Sequence, residues 1–501
     1  MSIALKSFPS ANIQGNPANK SYWVAVHHPV VFTFQRKDFS IVNVTDSGSN
    51  TAFVNMANQA AMVEGVVGDY IYIETTNGVI AGTYQIISKA SSVFINYYEI
   101  AHPMTGTVTG GWLNYSSARK NYFIETVVYS LDDSFHETLI GTNVNVCSPS
   151  GIITTNIMEY LKSLVSYEET FSFDEVTAPD PTLGGKYNIA FFENYNTTRI
   201  GYGSLDYLGD KNFVNATKQV QDEYGTNMAA YVPSLLYEEG KFLSDFVAPT
   251  YFKDLPFALT FIMSDKICYV FNIDYFGINN LRKVEIYFDK GGSATGFIDI
   301  NIFDATSTEN VNRLMLGESF PANTDYALVS LAYDDGVVTD HRLTEQKKVK
   351  INSSCENANP VYLNWLGTNG GRNFWLFDTM QEDVLEVVSE GEFTPQTIDL
   401  ATDLGNGEYT GKGATPELVC HAYLELADIR GLKGLLMSPD VLMLTNPETW
   451  ATDNPTSPPS PLPKWKRVKV LPQTYKVLST NSTHAEIELT LLLPTINIQT
   501  Q

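Results

Sequence analysis

The run Pro360 to Phe377, PVYLNWLGTNGGRNFWLF, constrains this chain most, because two aromatic-rich stretches flank a loop holding Gly367, Gly370 and Gly371. Such residues fill a pleated, half-buried surface, and glycines supply the positive φ values of a short reversal, so the run predicts a β-hairpin. Two of the six tryptophans stand here, and no nucleophile paired with a base does. Trp365, Phe374, Trp375 and Phe377 are therefore expected in a core or a subunit interface, not in a binding site.

The rest of the composition agrees with a β-rich chain. Hydrophobic residues make up 44% and aromatics 12%, while charged residues reach only 18%, which leaves the surface to Asn, Thr, Ser and Gln. At 501 residues the chain exceeds what one core supports and predicts several domains of roughly 100 to 200 residues. The balance of 32 basic to 56 acidic residues gives a formal net charge of -24, and Lys464, Lys466, Arg467 and Lys469 form its one compact basic stripe. Nucleic acid is excluded as a partner on that balance. The four cysteines stand far apart without a CxxC pair, which argues against a zinc site or a dense disulfide framework and predicts reduced thiols. The opening segment has no long apolar core after Lys6, and no run reaches the roughly 18 apolar residues of a membrane helix. Synthesis in a cytoplasm without membrane insertion is the expectation.

The fold class expected is mainly β: multi-domain β-sandwiches, an inserted small SH3-like barrel and a few short helices. Tyr22 to Phe34 reads as a strand broken at Pro29, and Tyr122 to Tyr129 as a strand paired beside it. Together they define an N-terminal β module of residues 1–37 and 118–145. The intervening 38–117 carries short alternating strands such as GDYIYIE, punctuated by glycines, and predicts a small barrel whose spacing does not separate an SH3-like from an OB-type arrangement. A β-sandwich with a short helix starting at Thr155 is expected over 146–255, and a second sandwich over 256–358, where GGSATG reads as a hairpin turn. A C-terminal β module follows over 359–501. It includes a helix over 425–437, weakened locally by Gly431 and Gly434, a Pro-rich extended arm over 451–463, and a closing strand in HAEIELTLLLP.

Candidate chemistry is sparse. The seven histidines form no HxH, HExxH or HxxxH pair, and His27 and His28 are expected on opposite faces of a strand. Adjacent carboxylates such as Glu382-Asp383 invite a glycosidase reading, but sequence spacing does not set the separation in space that such chemistry needs. Aromatic side chains on an exposed arm, Trp450 and Trp465 around Pro458 and Pro459, are the candidates for stacking on a sugar. No catalytic residue, metal ligand or cofactor site is expected.

The order of features resembles that of virion structural proteins of tailed phages and prophages of Bacteroidota. HHPVVFTFQR, VGDYIYI with AGTYQII, and YFIETVVY resemble their opening module. IITTNIMEYLKSLV with KYNIAFFENY resembles the second. PVYLNWLGTNGGRNFWLF, LKGLLMSPDVLML and WKRVKVLPQTYKVL resemble the C-terminal module. The resemblance implies a non-enzymatic tail or baseplate component located in the virion tail. Its implied partners are copies of itself in a ring or tube, other tail proteins, and host-surface glycan. Two other classes remain open: a glycan-binding β-sandwich surface protein, and a tail-associated polysaccharide hydrolase.

Overall fold

The computed structural model describes residues 3–7, 11–12, 20–48, 50–56, 66–91, 96–115, 122–132, 136–148, 150–165, 177–179, 182–195, 197–202, 211–217, 228–233, 239–253, 255–263, 281–301, 310–316, 321, 323–333, 341–352, 360–393, 408–445, 465–471, 484–494 and 496–497. The protein is mainly β, and its two α-helices among these residues are short, Met158–Lys162 and Leu426–Met437. The chain divides into two compact units: residues 1–12, 20–164 and 185–213 form the first, and residues 13–19, 165–184 and 214–501 the second.

In the first unit Pro29 does break the predicted strand. Lys20–Ala25 ends in a turn and Val31–Arg36 resumes in a different sheet. His27 and His28 lie in that turn, not on opposite faces of a strand. Val31–Arg36 sits between Ile3–Ser7 and Ile152–Asn156, whereas Lys20–Ala25 belongs to a seven-stranded sheet. The strand Phe123–Leu131 joins this larger sheet but pairs with Glu137–Val146 and Gly184–Tyr195, not beside Lys20–Ala25 as expected. The sheet thus runs across the boundary expected at residue 146. Phe191 binds the two layers, with its ring 5.3 Å from that of Phe32 and 4.6 Å from that of Phe34. The helix begins later than Thr155 because Ile152–Asn156 is extended, and Asn156 Oδ1 accepts both Val30 N–H and Met158 N–H.

Residues 39–115 hold a closed antiparallel barrel of six strands, Phe39–Asp46, Ala52–Met56, Tyr70–Thr75, Ala81–Ser91, Asn96–Ile100 and Thr107–Tyr115. Alternation sets its faces: Ile71 and Ile73 are buried inside with Val54, Ile86 and Tyr98, while Tyr70 points out. Closure turns on Gly111, which pairs with Ile41 on one side and Thr75 on the other. Its φ is 144°, and a Cβ there would stand 2.6 Å from Glu74 O. Trp112 and Leu113 likewise pair on both sides, and at position 111 the backbone conformation and the close approach of Glu74 admit only glycine. At the barrel's root Arg36 makes a two-pronged ion pair with Asp38, whose N–H donates to Asn114 Oδ1 at 3.1 Å. The entering and leaving strands are thereby tied together.

Among its described residues the second unit contains three sheets. Thr177–Pro179, Asn310–Met315 and Ala258–Met263 form the smallest. A six-stranded sheet runs through Thr250–Phe252, Lys347–Asn352, Tyr326–Tyr333, Leu281–Phe288 and Ala294–Asn301, with His341–Arg342 alongside. The GGSATG turn joins its last two strands, with Gly292 at φ 78°. An eight-stranded sheet runs in the order Arg372–Phe377, Val361–Leu366, Val441–Leu444, Trp465–Val470, His484–Leu492, Glu408–Glu425 and Met380–Phe393, with Ile496–Asn497 beside Glu408–Glu425. One apolar core joins residues from Phe242 to Leu491 across the boundary expected at residue 359. The helix Leu426–Met437 buries Ile429, Leu432 and Leu435 in it. Its glycines are not weak points: a Cβ at Gly431 would meet the Phe246 ring at 2.3 Å and one at Gly434 would meet Asp245 Oδ2 at 2.4 Å.

Tyr98 is fully buried inside the barrel, so Tyr98→Ala leaves a cavity expected to cost about 3–5 kcal/mol. Hydrogen exchange of the full chain checks this: protection is lost in the barrel strands and retained in the eight-stranded sheet.

Candidate functional site

The hairpin forms as predicted, Val361–Leu366 against Arg372–Phe377, but every residue of both strands is buried. It is an element covered on both faces, not a half-buried surface. Trp365, Phe374, Trp375 and Phe377 all belong to the large core. Phe246 lies 5.6 Å from Trp375 in a stacked arrangement and 5.9 Å from Trp365 edge-on.

The loop between the strands grips the segment Leu243–Phe246. The Asp245 carboxylate accepts the N–H and hydroxyl of Thr368 at 2.8 and 2.9 Å and the N–H of Asn369 at 3.2 Å. In return Asn373 Oδ1 accepts Asp245 N–H and the Ser244 hydroxyl, each at 3.2 Å. Of the three loop glycines only Gly370 has positive φ, 85°. The other two are required by proximity: a Cβ at Gly371 would stand 1.7 Å from Leu243 O, and one at Gly367 would stand 2.1 Å from Asn373 Nδ2.

Three further polar clusters lie buried. Arg372 Nη1 is 2.7 Å from Asp440 Oδ2, both side chains 1% exposed, and Arg467 Nε reaches the other oxygen of Asp440 at 3.3 Å. Lys283 Nζ bridges Glu285 at 2.7 Å and Met315 O at 2.8 Å, and the Tyr287 hydroxyl donates to the same Glu285 carboxylate. Burial, then the bond to Glu285, pushes the Tyr287 hydroxyl far above its ordinary range. The Arg36–Asp38 pair at the root of the barrel is the third, with Arg36 stacked over Tyr122 at 4.3 Å.

These groups are arranged to hold chain segments together. Each carboxylate is matched by a cation or by N–H and O–H donors, which is what makes its burial tolerable. Burial pushes the Cys420 thiol up to about 12 and raises that of Cys147, so neither presents a thiolate near neutral pH. Among the described residues no three His, Cys, Asp or Glu side chains cluster to hold a metal ion, and no helix is long and apolar enough to cross a membrane. Glu382 and Asp383 are successive exposed residues of one strand and point to opposite faces.

The aromatic arm expected to stack on sugar fares differently. Trp465 is not exposed; it starts the strand Trp465–Val470 inside the large core, 6.1 Å from the Tyr362 ring. Trp450, Pro458, Pro459 and the rest of the arm over 451–463 lie outside the described residues. Asp245 and Asp440, the two carboxylates on which the hairpin rests, escaped sequence reading, because a partner more than a hundred residues away leaves no local signal at Asp245. The one available cue was the loop's own glycines, which imply a close approach without naming what approaches.

The clasp predicts a graded response to methyl insertion. Gly371→Ala must push a backbone carbonyl aside and is expected to cost about 3 kcal/mol. Gly292→Ala, in open space at positive φ, is expected to cost only about 1–2 kcal/mol. Urea unfolding of the two variants separates them. Against known proteins the chain matches no family model and no curated sequence.

Proposed function

We propose that this chain is a non-enzymatic structural subunit of a phage tail or baseplate, assembling symmetrically with copies of itself through its β domains, with other tail proteins and host-surface glycan as further partners. The observation that supports assembly is the outer rim of the sheets. Each of the three largest open sheets ends in a strand that exposes large apolar side chains: Val144 and Val146 on Glu137–Val146, Phe297 on Ala294–Asn301, and Val384, Leu385 and Val387 on Met380–Phe393. Open N–H and C=O groups beside apolar side chains invite pairing unless charge or proline blunts the edge; Glu137–Val146 and Ala294–Asn301 carry one carboxylate each, whereas Met380–Phe393 sets five carboxylates among its apolar residues. The catalytically usable groups point the same way, since those in the described clusters are committed to packing.

Light scattering of the full chain at micromolar concentration tests the reading. A species of two or more chains is expected, or a chain recovered bound to another tail protein; a strictly monomeric chain with no bound partner contradicts it.

A further inference from the structure

The three outer edges are not equally open. On Glu137–Val146 the Thr142 carbonyl already accepts the Tyr160 hydroxyl at 2.8 Å. On Ala294–Asn301 the ring of Pro321 lies over Gly296, where a Cβ would come within 2.4 Å of it. Met380–Phe393 ends the eight-stranded sheet with residues 382–387 all exposed in succession. Leu385, at its centre, is 56% exposed.

Its partner strand shows which backbone groups face outward. Leu385 stands opposite Pro416. Proline has no N–H to give, and its carbonyl accepts Leu493 N–H at 3.0 Å on the far side. Leu385 and Pro416 are therefore a pair that exchanges no hydrogen bonds, and the N–H and C=O of Leu385 point to the open edge. By alternation so do those of Gln381, Asp383 and Val387.

Charge then narrows the register. In a two-fold antiparallel pairing of this edge with itself, centring on residue 382, 383 or 386 sets a carboxylate against its own copy, and centring on Val384 sets Glu382 against Glu386. Centring on Leu385 avoids all of these direct oppositions and leaves Glu386 diagonal to its own copy. It sets Leu385 against Leu385, Asp383 against Val387 and Val384 against Glu386, and it makes the outward-facing backbone pairs coincide across the axis. The paired stretch is also the regular part of the strand, since the irregularities begin only after Ser389.

We propose that two copies of the chain join through Met380–Phe393 in this Leu385-centred register, merging their eight-stranded sheets across a two-fold axis. The proposal rests on the assembly reading for the identity of the partner, a second copy, and supplies the interface. It makes the contact isologous, so any larger assembly is built from dimers.

Sedimentation of the full chain and of Leu385→Glu, together with disulfide crosslinking of two cysteine variants, tests it. Leu385→Glu, an exposed change that keeps the circular dichroism spectrum of the wild type, raises the dimer dissociation constant about tenfold or more by placing like charges on the axis and removing the leucine contact. Leu385→Cys forms an intermolecular disulfide under air oxidation, because hydrogen-bonded partners sit about 5.5 Å apart at Cα, whereas Val387→Cys, facing Asp383, does not. Oligomers unaffected by Leu385→Glu, or crosslinking through Val387→Cys and not Leu385→Cys, overturn the interface and leave the assembly reading standing. A wild-type chain that stays monomeric overturns both.

Discussion

The second unit is organised around one close approach, the backbone of Leu243 against Gly371. A hairpin buried on both faces needs all its main-chain groups paired, since an orphaned buried N–H or C=O costs as much as a lost hydrogen bond. Thr260 shows how three segments meet that need. Its carbonyl accepts Leu243 N–H at 2.8 Å and its hydroxyl accepts Arg372 N–H at 3.1 Å, so the smallest sheet, the Leu243–Phe246 segment and the hairpin are joined at one residue. Gly371 makes the geometry possible by leaving no side chain between them. Phe246 can then slide its ring between Trp365, Trp375 and the helix at Gly431.

The buried charges follow from the same constraint. Taking Asp440 out of water is costly, and two arginines from different strands of the eight-stranded sheet offset that cost. Such pairs add little net stability against an apolar replacement, yet removing one partner leaves an unmatched charge inside the core. They act as register pins: Arg372 and Arg467 lie on strands separated by two others, and Asp440, at the start of the strand Val441–Leu444, holds both. Lys283 and Glu285 do the same between the six-stranded sheet and the smallest one.

Local pattern made much of this fold legible. The alternation of Ile71 and Ile73 against Tyr70 marked the barrel wall, the glycine-flanked aromatics marked the hairpin, and the leucine face of residues 426–436 marked the helix. What sequence pattern missed is what depends on distant partners. Full burial of the hairpin requires the covering segment at 243–246, which has no sequence signal of its own role. Gly431 and Gly434 read as helix weaknesses because propensity is local, whereas their purpose is set by Phe246 and Asp245 across the core. Trp465 read as exposed because it follows a proline-rich stretch, but strand pairing with Leu444 carries it inward. The acidic edge at 380–393 was visible only as adjacent carboxylates, since its openness is a property of the sheet and not of the strand.

Native-state hydrogen exchange across Leu243–Phe246 and Val361–Phe377 tests most directly whether the hairpin and its covering segment form one cooperative element. The account predicts that amides of the two stretches, including Leu243, Asp245 and Arg372, exchange with a common opening free energy. Rapid exchange at Leu243 and Asp245 while the hairpin stays protected would contradict it.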